Sequence, residues 1–244
     1  MREMALSNCW YWFLLAVVIS YFLGCINFAV IISKAHHKDV RKIGSGNPGT
    51  MNMSREFGLK VGLVNFLFDC LKGGIPVIAV HYIFAGYVFS GTEVLVSDLA
   101  RYLVGIAAIV GHIYPVTMKF RGGKGIATTY GVFWFGIGCE NPWYFLFMLF
   151  GLILVLLFIL VTEMGSMGSL FGVTAFSVWQ GTTFYARYVG AMNGYVVFLL
   201  MMLLFMNFLT WFSHRKNLVR LLAGEEHRTS VKKLHGGKRG MDNM

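Results

Sequence analysis

Two short segments combine glycine with basic residues, a composition suited to binding phosphate. The first contains Gly44, Ser45, Gly46, Asn47, Pro48 and Gly49, followed by Asn52 and Arg55; the second contains Arg121, Gly122, Gly123, Lys124 and Gly125. Glycine lets backbone N–H groups turn toward an anion, and an arginine holds two phosphate oxygens at once. The first segment can also be a solvated turn, and the second a positive anchor at a membrane surface. We expect the first to bind an anion, whereas the second taken alone fits either interpretation.

A third polar segment follows the last apolar run of the chain. It carries His214, Asn217, Arg220 and Glu225, and its leucines recur with helical spacing to form an apolar stripe. Such a helix lies in the membrane interface. It either anchors the chain there or brings Asn217 and Arg220 to the same phosphate as the glycine segments.

Four further polar residues lie in or beside apolar runs. Asp69 and Lys72 are three residues apart and share one helix face. Charges within a membrane mark function, but two opposite charges can also neutralise each other, so contact with substrate and structural support both remain open. We expect His112 to be a packed residue rather than a catalyst. Ser169 lies in a stretch of small residues that is typical of helix contacts.

The composition predicts a membrane protein. Of the 244 residues, 57% are hydrophobic and 13% are charged, whereas a soluble domain carries about 25% charged residues. Runs of about 20 apolar residues are long enough to cross a bilayer. We predict a single all-α domain over 1–244 with seven transmembrane helices, at about 10–33, 58–85, 99–118, 125–139, 143–162, 166–186 and 190–212. The fourth run is short, and the sequence leaves open whether it crosses fully.

The positive charges predict the orientation of these helices. With seven spans, all Lys and Arg residues fall on one side except Arg2, Arg101, Arg187 and the intramembrane Lys72. Cytoplasmic loops carry such an excess, so we expect the N-terminus outside and the C-terminus inside. Both glycine segments then face the cytoplasm, as does the basic tail over 213–244. A net charge of +10 in such a protein indicates contact with anionic lipid of the bilayer rather than with nucleic acid.

No pattern predicts a metal or a cofactor. Cys9, Cys25, Cys70 and Cys139 form no CxxC pair and lie in or beside apolar runs, as small buried hydrophobic residues do. Gly123 and Lys124 lack the spacing and the following Ser or Thr of a nucleotide-binding P-loop.

In their order along the chain, these segments resemble the bacterial acyl-phosphate:glycerol-3-phosphate acyltransferases, the PlsY family. The matching text is GSGNPG at 44–49 with Asn52 and Arg55, FDCLKG at 68–73, GHIYP at 111–115, FRGGKGIAT at 120–128, HRKN at 214–217 and RLLAGE at 220–225. Counting 214–225 as one motif, five motifs occur in order, and such a set is highly specific. The chain departs from the family at Thr50 and Met51, where the family has Ala-Thr, which puts the fine geometry at the phosphate in question.

The resemblance implies transfer of an acyl group from acyl phosphate to the 1-hydroxyl of sn-glycerol 3-phosphate. The products would be lysophosphatidic acid and phosphate, in the first acylation step of phospholipid synthesis, without coenzyme A, metal or other cofactor. It implies a multi-pass protein of the bacterial cytoplasmic (inner) membrane with its active site at the cytoplasmic face, and the enzyme that supplies acyl phosphate is an expected partner. In the family pattern the site is lined by the residues that match Ser45, Arg55, Lys124, Ser169, His214 and Asn217.

We therefore assign roles to individual residues as predictions. The catalytic residues are Lys124, His214 and Asn217. The substrate-binding residues are Gly44, Ser45, Gly46, Asn47, Gly49, Asn52, Arg55, His112, Gly122, Gly123, Gly125, Thr128, Ser169, Arg220 and Glu225, while Asp69 and Lys72 are structural or supporting.

An acyl phosphate already contains a good leaving group, so no covalent nucleophile is required. The base is either His214 or the acceptor's own phosphate. Two other functions fit the basic loops: a membrane transporter or flippase of organophosphates, and a lipid-binding scaffold. The first predicts paired, broken helices near the membrane midplane, and the second gives the glycine loops no role.

Overall fold

Ten α-helices make up most of the computed structural model, which describes residues 1–226. They are α1 (Trp10–Cys25), α2 (Phe28–Ala35), α3 (Thr50–Phe57), α4 (Leu59–Ile83), α5 (Val96–Ile113), α6 (Ile126–Gly138), α7 (Tyr144–Thr162), α8 (Gly165–Tyr188), α9 (Gly194–Ser213) and α10 (Arg215–Leu222). Two three-residue strands, β1 (Arg2–Met4) and β2 (Tyr87–Phe89), pair in parallel, with Arg2 opposite Tyr87. The basic cluster of the tail, from Arg228 to Arg239, lies outside the described residues.

The described chain contains five segments long and apolar enough to cross a membrane: Trp10–Ala35, Leu59–Ile83, Val96–Met118, Tyr144–Thr162 and Gly194–Ser213. The mostly helical prediction is confirmed, and these five correspond to predicted spans. The other two predicted spans are the helices α6 and α8. At 13 residues, α6 is about 20 Å long and is shorter than the roughly 30 Å hydrocarbon core.

The first predicted span is not one continuous helix. It breaks at Ile26 and Asn27 into α1 and α2. The side chain of Asn27 accepts a hydrogen bond from the Val30 amide at 3.0 Å and so caps α2. The Lys72 ammonium donates to the Ile26 carbonyl at 2.8 Å. Polar groups freed by the break are therefore satisfied inside the protein.

Helix α5 forms the centre of the bundle and packs against α1, α4, α6 and α9. Helices α4 and α6 approach most closely where each presents a glycine to the backbone of the other. A Cβ on Gly73 would overlap the Thr128 carbonyl, and one on Gly131 would overlap the Cys70 carbonyl. Small residues allow such contacts between membrane helices. This contact fixes the start of α6, where the second glycine segment ends.

A buried cluster of four charges joins the helix ends farthest from the glycine segments. Arg101, which is 1% exposed, pairs with Asp98 and, at 3.1 Å, with Glu140. Arg187 contacts the same two carboxylates, each at 2.7 Å. The cluster therefore links α5, the segment after α6, and α8.

We expect Arg101→Leu to destabilise the protein by about 3–5 kcal/mol, because it leaves buried carboxylates with one cation fewer. Thermal unfolding in detergent measures the loss. Arg187→Leu is the matched control; its side chain is 31% exposed, and we expect a smaller effect. Equal stability of the Arg101 variant and the unsubstituted protein would contradict a structural role for the cluster.

Candidate functional site

A cavity of about 1280 Å³ brings all three polar segments together. Its wall includes these predicted site residues: Ser45, Gly46, Asn47, Gly49, Asn52, Arg55, Asp69, His112, Gly122, Gly123, Lys124, Gly125, Ser169, His214, Asn217 and Arg220. Residues as distant in sequence as Ser45 and Asn217 therefore share one space.

Four of the predicted residues do not line this cavity: Gly44, Lys72, Thr128 and Glu225. Gly44, at the start of the first glycine segment, faces Asn52; a Cβ on Gly44 would overlap the side chain of Asn52. Thr128 is fully buried, and its backbone is covered by Gly73 of α4. The assignment of Gly44 and Thr128 to direct substrate contact is therefore not supported by the geometry.

The first glycine segment is held in shape by Asn52. Its amide nitrogen donates to the carbonyls of Val40 and Ile43, both at 3.1 Å, and its oxygen accepts from the Ser45 amide at 3.0 Å. Asn52 lies in the first turn of α3, whose N-cap is Gly49. Asn52 fixes the loop that presents Ser45.

Arg55 lies on α3, one helical turn beyond Asn52, and is exposed at the cavity wall. The start of α3 is tied to α4 by Thr50, whose hydroxyl accepts from Asn65 at 3.4 Å. Asn65 also donates to Asp69 at 3.1 Å. A guanidinium on a helix anchored in this way can receive a phosphate in bidentate fashion.

The second glycine segment folds back on the end of α5. The amides of Gly122 and Gly123 donate to the carbonyls of Ile113 and His112, at 3.0 and 3.1 Å. A Cβ on Gly123 would overlap the ring of His112. His112 is 4% exposed and supports the loop from below, in keeping with the packed role expected for it.

Asp69 and Lys72 form a buried ion pair of 2.6 Å beneath the site. Asp69 reaches the cavity wall, whereas Lys72 points toward the break between α1 and α2. The ring of His112 lies 3.7 Å from the same carboxylate. Asp69 thus lies near His112 under the second glycine segment, and Lys72 contacts the break between α1 and α2. This geometry favours a structural role for Lys72.

Lys124 and Asn217 connect the second segment to α10. The Lys124 ammonium donates to the side-chain oxygen of Asn217. Burial lowers the pKa of Lys124 to about 8. The neighbouring cations Arg220 and Arg55 act in the same direction, whereas the carboxylate of Glu226 opposes the shift.

Glu226 is a cavity residue that the sequence reasoning missed. It accepts hydrogen bonds from Ser166 and, at 2.8 Å, from the Asn217 amide, and it lies 3.4 Å from Arg220. Burial raises its pKa, but these hydrogen bonds and the nearby cations outweigh burial and lower it overall.

Glu225, the predicted residue, makes only a backbone hydrogen bond to Arg220 in the contacts described here. Gly224 has a φ of 72° and turns the chain back after α10, so that the second following residue meets the helix. A glycine after a helical run was the signal that could have identified Glu226.

His214 lies between α9 and α10, with its Nδ1 2.8 Å from the Thr210 carbonyl. Because a carbonyl only accepts, Nδ1 carries the proton in this assignment and Nε2 is left as the acceptor. Burial, assisted by the charge of Lys124, lowers the pKa of His214 to about 4. The imidazole is therefore neutral near pH 7.

The far end of the cavity is apolar. It is lined by Phe66, Tyr130 and one face of α7, formed by Leu152, Val155, Leu156 and Ile159. Ser169 of α8 also lines the cavity, and its hydroxyl donates to the Gly165 carbonyl at 2.8 Å. The cavity thus has a cationic end and an apolar end, as an amphiphilic phosphate requires. Fold and site together define an integral membrane protein that handles such molecules.

Comparison with known proteins identifies the family. The family model described as glycerol-3-phosphate acyltransferase matches residues 14–224. The glycerol-3-phosphate acyltransferase of Aquifex aeolicus is 33% identical over 229 residues, which cover 88% of this chain and 98% of the relative. That of Thermoanaerobacter pseudethanolicus is 36% identical over 219 residues, covering 89% and 96%.

Two solved structures are similar to this chain. Both are of PlsY, an integral membrane glycerol 3-phosphate acyltransferase, at 30% identity. The glycerol 3-phosphate form has a TM-score of 0.73 and covers 91% of this chain and 98% of PlsY; the lysophosphatidic acid form has 0.71, covering 92% and 98%. The chain belongs to the glycerol-3-phosphate acyltransferase family, and it is an acyltransferase.

The charge on Lys124 should control the pH dependence of the activity. Since its pKa is about 8, we expect kcat/KM to fall as pH rises through about 8 and the ammonium loses its charge. Glu226 raises the pKa of Lys124. In the Glu226→Gln variant, the fall of kcat/KM at alkaline pH, its alkaline limb, should therefore begin at lower pH. Initial rates across pH measure both effects.

Asp39→Asn is the matched control, because Asp39 is also a carboxylate on the cavity wall but pairs with Arg41. We expect its alkaline limb to stay in place. If kcat/KM of the Glu226→Gln variant falls at the same alkaline pH as that of the wild type, Glu226 does not act on Lys124.

Proposed function

We propose that the protein transfers an acyl group from acyl phosphate to the 1-hydroxyl of sn-glycerol 3-phosphate, in the first acylation step of phospholipid synthesis. The products are lysophosphatidic acid and inorganic phosphate. The single observation that carries this proposal is one cavity whose wall includes Arg55, Lys124 and Arg220 as well as the apolar face of α7.

The acceptor binds at the end of the cavity where the first glycine segment and α3 meet. Arg55 grips its phosphate, and the Ser45 hydroxyl lies on the same wall. Glycerol 3-phosphate is small and doubly charged, so a loop fixed by Asn52 offers it a preformed set of donors. PlsY, at 30% identity, has a glycerol 3-phosphate form and a lysophosphatidic acid form, which supports glycerol 3-phosphate as the acceptor here.

The donor enters with its phosphate toward Lys124 and its chain toward α7. Residues 152, 155, 156 and 159 recur with the spacing of one helix face. Leu156 is 49% exposed, so this end of the cavity is open to the bilayer on one side. An acyl phosphate in the membrane can reach the site while its chain stays in the hydrocarbon and its phosphate stays at the surface.

The reaction needs no covalent intermediate. The 1-hydroxyl oxygen forms a bond to the acyl carbon, the bond from that carbon to the phosphate oxygen breaks, and phosphate leaves with the electron pair. Lys124 and Asn217 stabilise the negative charge that develops, and the cavity holds two anions together that would repel each other in water.

The hydroxyl proton passes to the acceptor's own phosphate. A phosphate monoester has a second pKa of about 6, closer to the working pH than a histidine whose pKa is about 4. His214 remains neutral and offers Nε2 as a hydrogen-bond acceptor. Of the two bases that the sequence left open, the proposed one is therefore the acceptor's phosphate and not His214.

We place the cavity at the cytoplasmic face of the bacterial inner membrane, with seven spans that include α6 and α8, the N-terminus outside and the C-terminus inside. The Lys and Arg residues of the glycine segments and of α10 support this orientation. On that side the enzyme that forms acyl phosphate delivers the donor to the membrane surface.

The test uses purified protein in detergent with labelled glycerol 3-phosphate and either acyl phosphate or acyl-coenzyme A. We expect labelled lysophosphatidic acid with acyl phosphate alone. Detergent removes the two compartments that transport requires, so any product formed comes from catalysis; a protein that binds both substrates without forming product would contradict the proposal. Product from acyl-coenzyme A alone would assign a different donor.

A further inference from the structure

Tyr130 lines the apolar part of the cavity. It is 2% exposed, and its ring lies on the cavity wall on α6. Phe66 and Phe176 flank it, with ring centroids 6.4 and 5.5 Å away. Its hydroxyl has no hydrogen-bond partner among the described residues. A tyrosine without a polar partner at this place affects a ligand through the volume its side chain occupies.

Gly172 of α8 decides where this tyrosine can stand. A Cβ on Gly172 would overlap the Tyr130 hydroxyl and would lie 2.7 Å from Cγ2 of Val155. A methyl group at position 172 must therefore displace one or both of these side chains. Both line the cavity, so the displacement reduces the space available to a ligand.

We propose that Tyr130, standing against Gly172, forms the end wall of the acyl-chain space and sets which donor chain lengths the enzyme prefers. This inference rests on the proposed function, because it takes the apolar end of the cavity as the place of the donor's chain. From Leu152 to Ile159 the lining face of α7 is about 10 Å long. A longer chain must either press on the wall or bend out past Leu156 into the bilayer.

These two routes predict different responses to substitution. If the wall limits the chain, removing or adding volume there changes the preference, since one methylene too many costs about tenfold or more in kcat/KM. If the chain bends out, the wall has no influence on preference.

The experiment measures kcat/KM for saturated acyl phosphates from octanoyl to octadecanoyl. We expect Gly172→Ala to lower the ratio of long-chain to short-chain kcat/KM by about tenfold, and Tyr130→Leu to raise it by a similar factor. In the double variant Gly172→Ala/Tyr130→Phe, the missing hydroxyl leaves room for the new methyl group. We expect its preference to return toward that of the wild type.

Tyr102→Phe is the matched control. The Tyr102 hydroxyl is also buried and has no hydrogen-bond partner within residues 1–226. It lies 3.0 Å from where a Cβ on Gly136 would be, but Tyr102 does not line the cavity. We expect its chain-length preference to equal that of the wild type.

Parallel chain-length profiles for the wild type and all wall variants would overturn the inference. Tyr130→Phe changes a single buried hydroxyl and, with the double variant, keeps the test decisive if Tyr130→Leu fails to fold. A wild-type protein that makes no lysophosphatidic acid from any donor would instead overturn the proposed function.

Discussion

Lys124→Met is expected to lower kcat by about a thousandfold while the protein keeps its fold. The ammonium stands at the junction of the glycine loop and α10, where it contacts Asn217, and in the proposed reaction it faces the charge that builds up on the departing phosphate. Removal of one such preorganised donor costs about 10²–10³ in kcat. Loss of a full charge in a partly buried site places the effect at the upper end of that range.

Steady-state rates at saturating substrate test this prediction, with circular dichroism and thermal unfolding to confirm the fold. Lys119→Met is the matched control, since Lys119 belongs to the same loop and lines the same cavity. We expect nearly normal turnover from it. An Lys124→Met protein with wild-type kcat would show that Lys124 is only a positive anchor at the membrane surface.

Arg55→Lys is expected to raise KM for glycerol 3-phosphate by about 10- to 100-fold, with a smaller change in kcat. Lysine keeps the positive charge but loses the planar fork that holds two phosphate oxygens, and a hydrogen bond to a charged group contributes about 1.5–3 kcal/mol. Substrate titrations at fixed acyl phosphate separate KM from kcat.

Arg41→Lys is the matched control for this substitution. Arg41 also lines the cavity, but its guanidinium already holds both oxygens of Asp39, each at 2.9 Å. We expect little change in KM. Equal effects at the two positions would mean that general positive charge, rather than the fork of Arg55, binds the acceptor.

Five of the seven predicted spans correspond to segments long and apolar enough to cross a membrane, because apolar length is the dominant physical signal of such helices. The run predicted at 143–162 is α7, Tyr144–Thr162, within a residue. The break between α1 and α2 was missed, because the single polar residue Asn27 leaves the mean hydropathy of Trp10–Ala35 high, at 2.4. The Lys72 side chain that satisfies the freed carbonyl comes from another helix, and a contact of that kind leaves no local trace in the sequence.

The cationic end of the site was largely predictable, whereas details that depend on chain direction were not. Clusters of glycine with basic residues located Ser45, Arg55 and Lys124 on the cavity wall, since only 13% of the chain is charged and the clusters interrupt apolar runs. Glu226 could not be picked out from the sequence, because its place in the cavity depends on how far the chain turns after α10. Tyr130 and Gly172 gave no signal, because apolar wall residues resemble ordinary packing residues until the cavity between them is visible.

The stoichiometry of the products tests the central claim most directly. Purified protein, acyl phosphate and glycerol 3-phosphate are mixed, and lysophosphatidic acid and inorganic phosphate are followed together over time. The account predicts that both appear at equal rates, that neither appears quickly when glycerol 3-phosphate is omitted, and that Lys124→Met suppresses both. Phosphate release without an equal amount of lysophosphatidic acid, or no product from a protein that binds both substrates, would contradict it.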